Sequence, residues 1–227
     1  MKKKLILALA LTACISCAGA EAAEFSDLPE DSYVANAIKV LSNNGIINGV
    51  SEDKYEPERN VTRSEFSALV TRMMNYDKNE YKNVFTDVSS DSWYAGDVQT
   101  LYDKKIINGV SEYEFAPNEL ITREQGAKIL VGLYEKNYGE LQTCASNMIT
   151  AALDYQQISD WALNDMWKGQ MLGFLPRIVT VNRSQFNSLI KGEYYVHPQQ
   201  PLTRAETAEI IYNFTKAVKN IEKAMDE

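Results

Sequence analysis

The fold is decided by the stretch Ile47-Asn48-Gly49-Val50-Ser51-Glu52, which is followed by Val61-Thr62-Arg63-Ser64-Glu65. Sixty residues later the chain repeats it as Ile107-Asn108-Gly109-Val110-Ser111-Glu112, followed by Ile121-Thr122-Arg123-Glu124-Gln125. A third, altered copy ends at Leu202-Thr203-Arg204-Ala205-Glu206. Such a fixed period indicates an array of one supersecondary unit, because a single unit buries too little of its apolar face to be stable alone.

Each copy predicts a helix, a loop and a second helix. In the first copy Asp31 stands where a short side chain caps a helix start, and Asn44-Gly45 stands where that helix ends. The segment 46–60 is a loop that turns at its Asn-Gly pair. Thr62 and Glu65 then form a capping-box pattern, and the apolar residues that follow at helical spacing predict an amphipathic second helix.

The third copy departs from the other two. Its front half aligns on Asp154 and Trp161, but it has no Asn-Gly turn and carries extra residues around 177–194. We predict a mostly α fold of three helix–loop–helix repeats that pack as a pseudo-threefold helical bundle. The predicted segments are a signal peptide at 1–22, repeat 1 at 25–80, repeat 2 at 84–141 and a divergent repeat 3 at 150–219.

Composition and charge exclude several classes of function. The chain has 227 residues, 45% of them hydrophobic, and a net charge of −8. Such a hydrophobic content is enough for an ordinary core, whereas nucleic-acid binding needs a basic surface. An acidic polymer would be repelled at long range, so any anionic ligand must be held by local cations.

The N-terminus reads as a signal for export, with three lysines before a short apolar run. Two exits are open. Ala20-Glu21-Ala22 is a cleavage site of the A-x-A type, whereas Leu11-Thr12-Ala13-Cys14 resembles a lipobox in which Cys14 would be lipidated. We expect an exported protein, slightly favour simple cleavage, and expect no transmembrane segment in the mature chain.

An arginine follows each capping threonine, at the first position of the second helix: Arg63, Arg123 and Arg204. A helix start already carries a partial positive charge, so a cation there is locally unfavourable and suggests either a ligand or a fixed ion pair. A guanidinium beside free backbone N–H groups can bind an anion in a bidentate manner. The alternative is that the arginines pair internally with Asp27, Asp87 or Asp154.

The other candidate positions are aromatic residues and glycines. Tyr33, Trp93 and Trp161 precede or open the first helix of each repeat and offer flat faces for sugar rings, although such aromatics are more often core residues. Gly49 and Gly109 would let a ligand approach the backbone, although they form turns first.

These residues resemble the S-layer homology domain, a bacterial cell-wall anchoring module usually found in threes, from about Phe25 onward. The resemblance implies a groove between neighbouring repeats, in which an arginine meets the carboxylate of a pyruvylated amino sugar on a secondary polysaccharide linked to peptidoglycan. It also implies a place at the cell wall or cell surface, with other surface-layer proteins as further partners. The implied ligand-binding residues are Asp27, Tyr33, Gly49, Arg63, Asp87, Trp93, Gly109, Arg123, Asp154, Trp161 and Arg204.

The sequence departs from the family pattern at several places. Tyr33 stands where the family usually has Trp, and Glu124-Gln125 replaces Ala-Glu. The sequence offers neither a nucleophile elbow nor a phosphate loop, and its acidic loops lack calcium-loop spacing. The single histidine, His197, is read as structural. We therefore expect no enzymatic activity, no cofactor and no metal.

Overall fold

The computed structural model describes residues 25–141, 152–176 and 194–226, and this part of the chain is mostly helical, as predicted. It contains no β-strand, only isolated bridges. The predicted signal peptide, Cys14 and most of the insertion around 177–194 lie outside the described residues. The helices are α1 (Ser32–Asn43), α2 (Arg63–Met73), α3 (Ala95–Asp103), α4 (Arg123–Tyr138), α5 (Leu163–Met171) and α6 (Arg204–Asp226), with short 3₁₀ turns at Tyr155–Gln157 and Asp160–Ala162.

The chain divides into two compact units. The first comprises the residues up to Ile121 together with Leu202–Tyr212, and the second comprises Thr122–Pro201 and the residues from Asn213 onward. The first unit is therefore built from two segments that are far apart in sequence. The boundaries of the three repeats stay predictions.

Helix α1 begins and ends where its sequence indicates. The Asp31 carboxylate accepts the backbone N–H groups of Tyr33 and Val34 at 2.8 and 3.3 Å, which satisfies two donors that have no partner within the helix. Gly45, just past the helix, has a φ of 68°, a conformation that glycine adopts without a Cβ penalty. The stripe between them, which includes Leu41, is buried.

Capping boxes begin the second helices as predicted. Thr62 accepts the N–H of Glu65 at 3.2 Å, and the Glu65 carboxylate accepts the N–H of Thr62 at 2.9 Å. Helix α4 begins with the same exchange between the threonine and glutamine of its own box. At the start of α6, Thr203 and Glu206 exchange the equivalent bonds at 3.1 and 2.9 Å. Each box fixes the arginine that follows its threonine on the first helical turn.

The residue before each capping threonine closes a ring of backbone hydrogen bonds within the first unit. The N–H of Val61 donates to Leu202, that of Leu202 to Ile121, and that of Ile121 to Val61, at 2.9, 2.9 and 3.0 Å. All three side chains are buried. This closed ring relates three equivalent residues by a local pseudo-threefold axis.

The apolar faces of the helices form the cores of the units. In the first unit α2 packs against α3, and Phe66 and Leu101 are fully buried. In the second unit α4 packs against α5, and the rings of Phe174 and Phe214 meet edge to face with their centroids 5.4 Å apart. Burial of side chains of this size contributes about 1.5–3 kcal/mol each to folding.

The polar segment 77–83 is tied to α3 and is here called the strap. Lys78 Nζ lies 2.8 Å from a carboxylate oxygen of Asp97, which is fully buried. The backbone N–H of Asn79 donates to the hydroxyl of Thr100 at 2.7 Å. Since α3 also packs on α2, the strap helps to fix α3 in place.

Candidate functional site

Arg204 lies on the first turn of α6 and is held by the loop of the first repeat. Its Nε donates to the carbonyl of Tyr55 and one terminal nitrogen donates to the carbonyl of Asn48, both at 2.7 Å. The guanidinium carbon lies 4.3 Å from the centroid of the Tyr55 ring, a distance suited to a cation–π contact. Tyr55 donates its hydroxyl hydrogen to the carbonyl of Arg204 at 3.0 Å.

Burial governs the protonation of Tyr55. It raises the pKa of that phenol to about 12, although the positive charges of Arg204 and Arg59 favour the opposite shift. Tyr55 therefore remains a neutral hydrogen-bond donor in the physiological range. Its ring contacts the Arg204 guanidinium and its hydroxyl binds the Arg204 backbone, so Tyr55 holds Arg204 at two points.

Arg63 makes the corresponding contacts with the second repeat, but it is more buried. Its Nε donates to the carbonyl of Phe115 at 2.9 Å, and its guanidinium carbon lies 4.8 Å from the Phe115 ring. Only 7% of Arg63 is exposed. Burial lowers the pKa of this guanidinium, and the negative charges of Glu119 and Asp87 oppose the shift. Arg123, in the second unit, is 2% exposed.

The aspartates that open the repeats bind backbone. The Asp27 carboxylate accepts the N–H groups of Tyr55 and Glu56 at 2.8 and 2.9 Å. Burial disfavours ionisation of Asp27, but these two hydrogen bonds outweigh it and lower the pKa of the carboxyl. Asp87 and Asp154 each accept two consecutive backbone N–H groups in the same way. Each carboxylate thus ties the opening of its repeat to the segment that precedes the second helix.

These contacts give only partial support to the alternative in which the repeated arginines pair internally with the aspartates. The hydrogen bonds of the three aspartates described above go to backbone N–H groups. Asp87 nevertheless acts on Arg63 through its charge, as does Glu119. An internal role is therefore best supported at Arg63.

The three candidate aromatics are exposed, so their reading as core residues is wrong. Trp93 is 60% exposed, Trp161 49% and Tyr33 39%. They sit at helix entries whose apolar stripes begin further along the chain. Tyr33 meets Tyr212 edge to face, and Lys128 Nζ lies 5.3 Å from the centroid of the Trp161 ring.

Gly49 and Gly109 are required by crowding. A Cβ at Gly49 would lie 2.5 Å from the Phe25 ring and 2.7 Å from the carbonyl oxygen of Lys54. A Cβ at Gly109 would lie 2.7 Å from the ring of Phe85. Real Cβ atoms do not approach neighbours so closely, so each glycine lets an aromatic ring pack directly on its loop.

A groove in the first unit brings together three of the predicted residues: Gly49, Trp93 and Arg204. We call it the Arg204 groove. Its volume is about 230 Å³, somewhat smaller than the pockets that usually hold drug-sized ligands. Its lining is completed by Ile47, Asn48, Val50, Tyr55, Arg59, Val61, Glu65, Leu69, Arg72 and Thr207. The other predicted site residues do not line it.

The charges of the Arg204 groove include two arginines that the sequence analysis missed. Arg59 contacts Glu65 at 2.8 Å, and the Nε of Arg72 donates to the carbonyl of Ala68 at 3.3 Å. With Arg204, the lining holds three guanidinium groups against the single carboxylate of Glu65. A local excess of positive charge is what an anionic ligand requires on a protein whose net charge is −8.

The described residues offer no other obvious chemistry. No group of three or more histidine, cysteine or acidic side chains within them is arranged to hold a metal ion. His197 lies with Nδ1 3.6 Å from the Asp154 carboxylate. Among the described helices, none combines the length and hydrophobicity needed to span a membrane.

Comparison with known proteins identifies two segments of the chain. The family model of the S-layer homology domain matches residues 24–67 and 84–127. The chain is 32% identical over 201 residues to exoglucanase XynX of Acetivibrio thermocellus and 34% identical over 199 residues to amylopullulanase of Thermoanaerobacterium thermosulfurigenes. Each alignment covers 87% of this chain, but only 17% and 10% of those enzymes.

A protein of the bacterial surface is also similar. The chain is 27% identical over 205 residues to the surface-layer 125 kDa protein of Lysinibacillus sphaericus. This alignment covers 89% of this chain and 16% of that protein. The chain therefore spans less than a fifth of the length of these relatives.

Proposed function

We propose that this chain, which carries two S-layer homology domains at 24–67 and 84–127, attaches noncovalently to an anionic polysaccharide of the bacterial cell wall. The observation that carries the proposal is the Arg204 groove, which places three arginines and an exposed tryptophan around one hollow. The role is binding and not catalysis, and the ligand is a wall polymer linked to peptidoglycan.

The groove suits a sugar that bears a carboxylate, such as a pyruvylated one. Arg204 uses its Nε and one terminal nitrogen for loop carbonyls, and its remaining N–H groups can face a carboxylate. Arg72 uses only its Nε in the described hydrogen bond. The exposed face of Trp93 supplies a flat apolar surface for the sugar ring.

The third repeat and the export signal belong to the same proposal. A third repeat at 150–219 is supported by Asp154, which accepts two consecutive backbone N–H groups as the other opening aspartates do, and by the bonds between Thr203 and Glu206. The long alignments with the relatives also extend past 127. We propose export through the signal peptide at 1–22, with lipidation at Cys14 as the alternative exit.

Co-sedimentation with purified wall sacculi tests the function. We expect residues 23–227 to sediment with sacculi and to stay in the supernatant after acid removal of the secondary polymer. Arg204→Ala should lower binding at least tenfold, because it removes a charge-assisted contact of the groove. Arg63→Ala is the matched control, since Arg63 has the same loop contacts but lies outside the groove. Equal binding by the Arg204→Ala variant and the unaltered chain would contradict the mechanism.

A second candidate role is structural, with the arginines serving the fold or a protein surface. The burial of Arg63 and Arg123 favours it at those two positions. This role predicts that Arg123→Ala strongly lowers the melting temperature of the purified protein in the absence of any glycan. An unchanged melting temperature would exclude it for Arg123.

A further inference from the structure

One position changes its charge from repeat to repeat while its backbone stays the same. It lies three residues before the capping threonine and is occupied by Arg59, Glu119 and Gln200. At each of the three, the backbone N–H donates to the carbonyl three residues earlier, at 3.2, 3.2 and 3.1 Å. The position is therefore geometrically equivalent in the three copies, and its side chain is the variable.

This position is also the direct neighbour of the repeated arginine. Its carbonyl accepts the backbone N–H of the arginine that follows a capping threonine. The pairs, with their N···O distances, are Arg204 to Arg59 (2.8 Å), Arg63 to Glu119 (2.9 Å) and Arg123 to Gln200 (3.0 Å). The side chain beside the helix start is thus cationic for Arg204, anionic for Arg63 and neutral for Arg123.

The surfaces around the first two copies differ in sign accordingly. Arg59 lines the Arg204 groove, where its partner Glu65 is the single carboxylate. Glu119 lines an open surface hollow together with Asp87 and Glu114. The Arg204 groove therefore gathers guanidinium groups, whereas Arg63 experiences the negative charges of Glu119 and Asp87.

Each repeated arginine, together with the neighbouring residues that hold it, is here called a frame. We propose that the residue three positions before the capping threonine decides which frame takes an anionic sugar, so that the chain binds one such sugar, at the Arg204 groove. Arg59 contributes a cation there in addition to Arg204 and Arg72, and it contacts the ligand. Glu119 repels an anion from the Arg63 frame, and Gln200 gives the Arg123 frame no additional charge. This inference rests on the proposed function and specifies its stoichiometry.

Electrostatics of short range make this selection effective. Opposite charges a few ångströms apart attract and like charges repel, and both interactions are screened over longer distances in salt solution. The long-range field cannot select a frame, since the whole chain is acidic. Reversal of one charge beside the repeated arginine is therefore the change that matters most.

Isothermal titration calorimetry of residues 23–227 tests the inference. The probe is the methyl glycoside of a 4,6-pyruvylated N-acetylhexosamine, and its uncharged methyl ester is the control ligand. We expect one probe molecule per chain and at least tenfold weaker binding of the ester. Absence of any binding by the unaltered chain would overturn the proposed function itself, whereas two or more probe molecules per chain would overturn only this inference.

Substitutions at the variable position complete the test. Arg59→Gln copies the third frame and should weaken binding about tenfold. The double variant Arg59→Gln with Glu65→Gln removes the unpaired carboxylate and should stay weak, because Arg59 itself contacts the ligand. Glu119→Arg should raise the ratio above one per chain. Full recovery in the double variant, or a ratio that stays at one in Glu119→Arg, would contradict the proposal. Melting temperatures report whether each variant is folded.

Discussion

At the scale of single residues, the two loop glycines and Glu124 explain features that the repeat pattern leaves unexplained. Gly49 and Gly109 stand where a side chain would collide with an aromatic ring and with loop carbonyls. Glu124 replaces the alanine of the family pattern, and its carboxylate accepts both the N–H and the hydroxyl of Ser159, at 3.0 and 2.8 Å. The departure in repeat 2 thus fastens a neighbouring loop in the second unit.

Gly49→Ala tests the crowding at the first loop. The added Cβ meets backbone oxygen atoms that cannot move away as a flexible side chain could, so we expect a loss of about 1–3 kcal/mol in the free energy of unfolding. Gly132→Ala is the matched control. Nothing lies within 4 Å of its Cβ position, and alanine favours a helix interior, so a small gain in stability is expected. Urea denaturation measures both, and equal effects would refute the crowding argument.

At the scale of elements, local signals were predicted well and long-range ones were not. The capping boxes follow from residues three apart, so the starts of α2 and α4 were predicted correctly. The start of α3 differs from what the repeat suggests. Asp91-Ser92 aligns with the residues that begin α1, but α3 begins at Ala95, after a turn in which the N–H of Ala95 donates to the carbonyl of Ser92. The strap was missed because its partners lie about twenty residues away.

The ion pair of the strap gives an asymmetric prediction. Lys78→Met should cost about 2–3 kcal/mol in the free energy of unfolding, because it leaves the buried Asp97 carboxylate without its cation. Lys82→Met is the control and should cost less than about 1 kcal/mol, since Asp103 is partly exposed. Chemical denaturation of the two variants decides it. If Lys78→Met proved as mild as its control, Asp97 would need another source of compensation.

At the scale of the whole molecule, stability should depend on pH through carboxyls whose pKa values the fold shifts. Asp27 and Glu65 have folded-state pKa values below their ordinary values of 3.8 and 4.5. For Glu65, burial is outweighed by the hydrogen bonds of Arg59 and Thr62. A lowered pKa contributes stability that is present above the ordinary value and is lost as the pH falls through the folded value.

We therefore expect urea midpoints that are nearly constant from pH 7 to about 5 and that fall below about pH 4.5. Glu65→Gln should flatten the acid limb. Asp165 makes the opposite contribution, because burial raises its pKa. Its contribution to the stability of the fold therefore increases as the pH falls, and Asp165→Asn should steepen the acid limb. Superimposable acid limbs for Glu65→Gln and the unaltered chain would contradict the assignment.

The candidate site shows the limit of prediction at this scale. The period and the family resemblance singled out Gly49, Trp93 and Arg204, and the structure places them around one groove. Arg59 and Arg72 could not be predicted, because no local pattern marks them and their place depends on which repeat packs on which. The opening aspartates had a repeated spacing, but that spacing alone could not distinguish a ligand-binding residue from one that binds the backbone of its own repeat.

The ring of Val61, Ile121 and Leu202 has a consequence for the order of synthesis. Two of its members are made early, whereas the third, Leu202, is made only after the segment Thr122–Pro201 of the second unit has been translated. A growing chain therefore leaves backbone groups of the ring unmatched, and it has no Arg204 to furnish the groove. Because the proposed wall-binding groove needs Arg204, we expect a polypeptide that ends before this residue to lack wall binding.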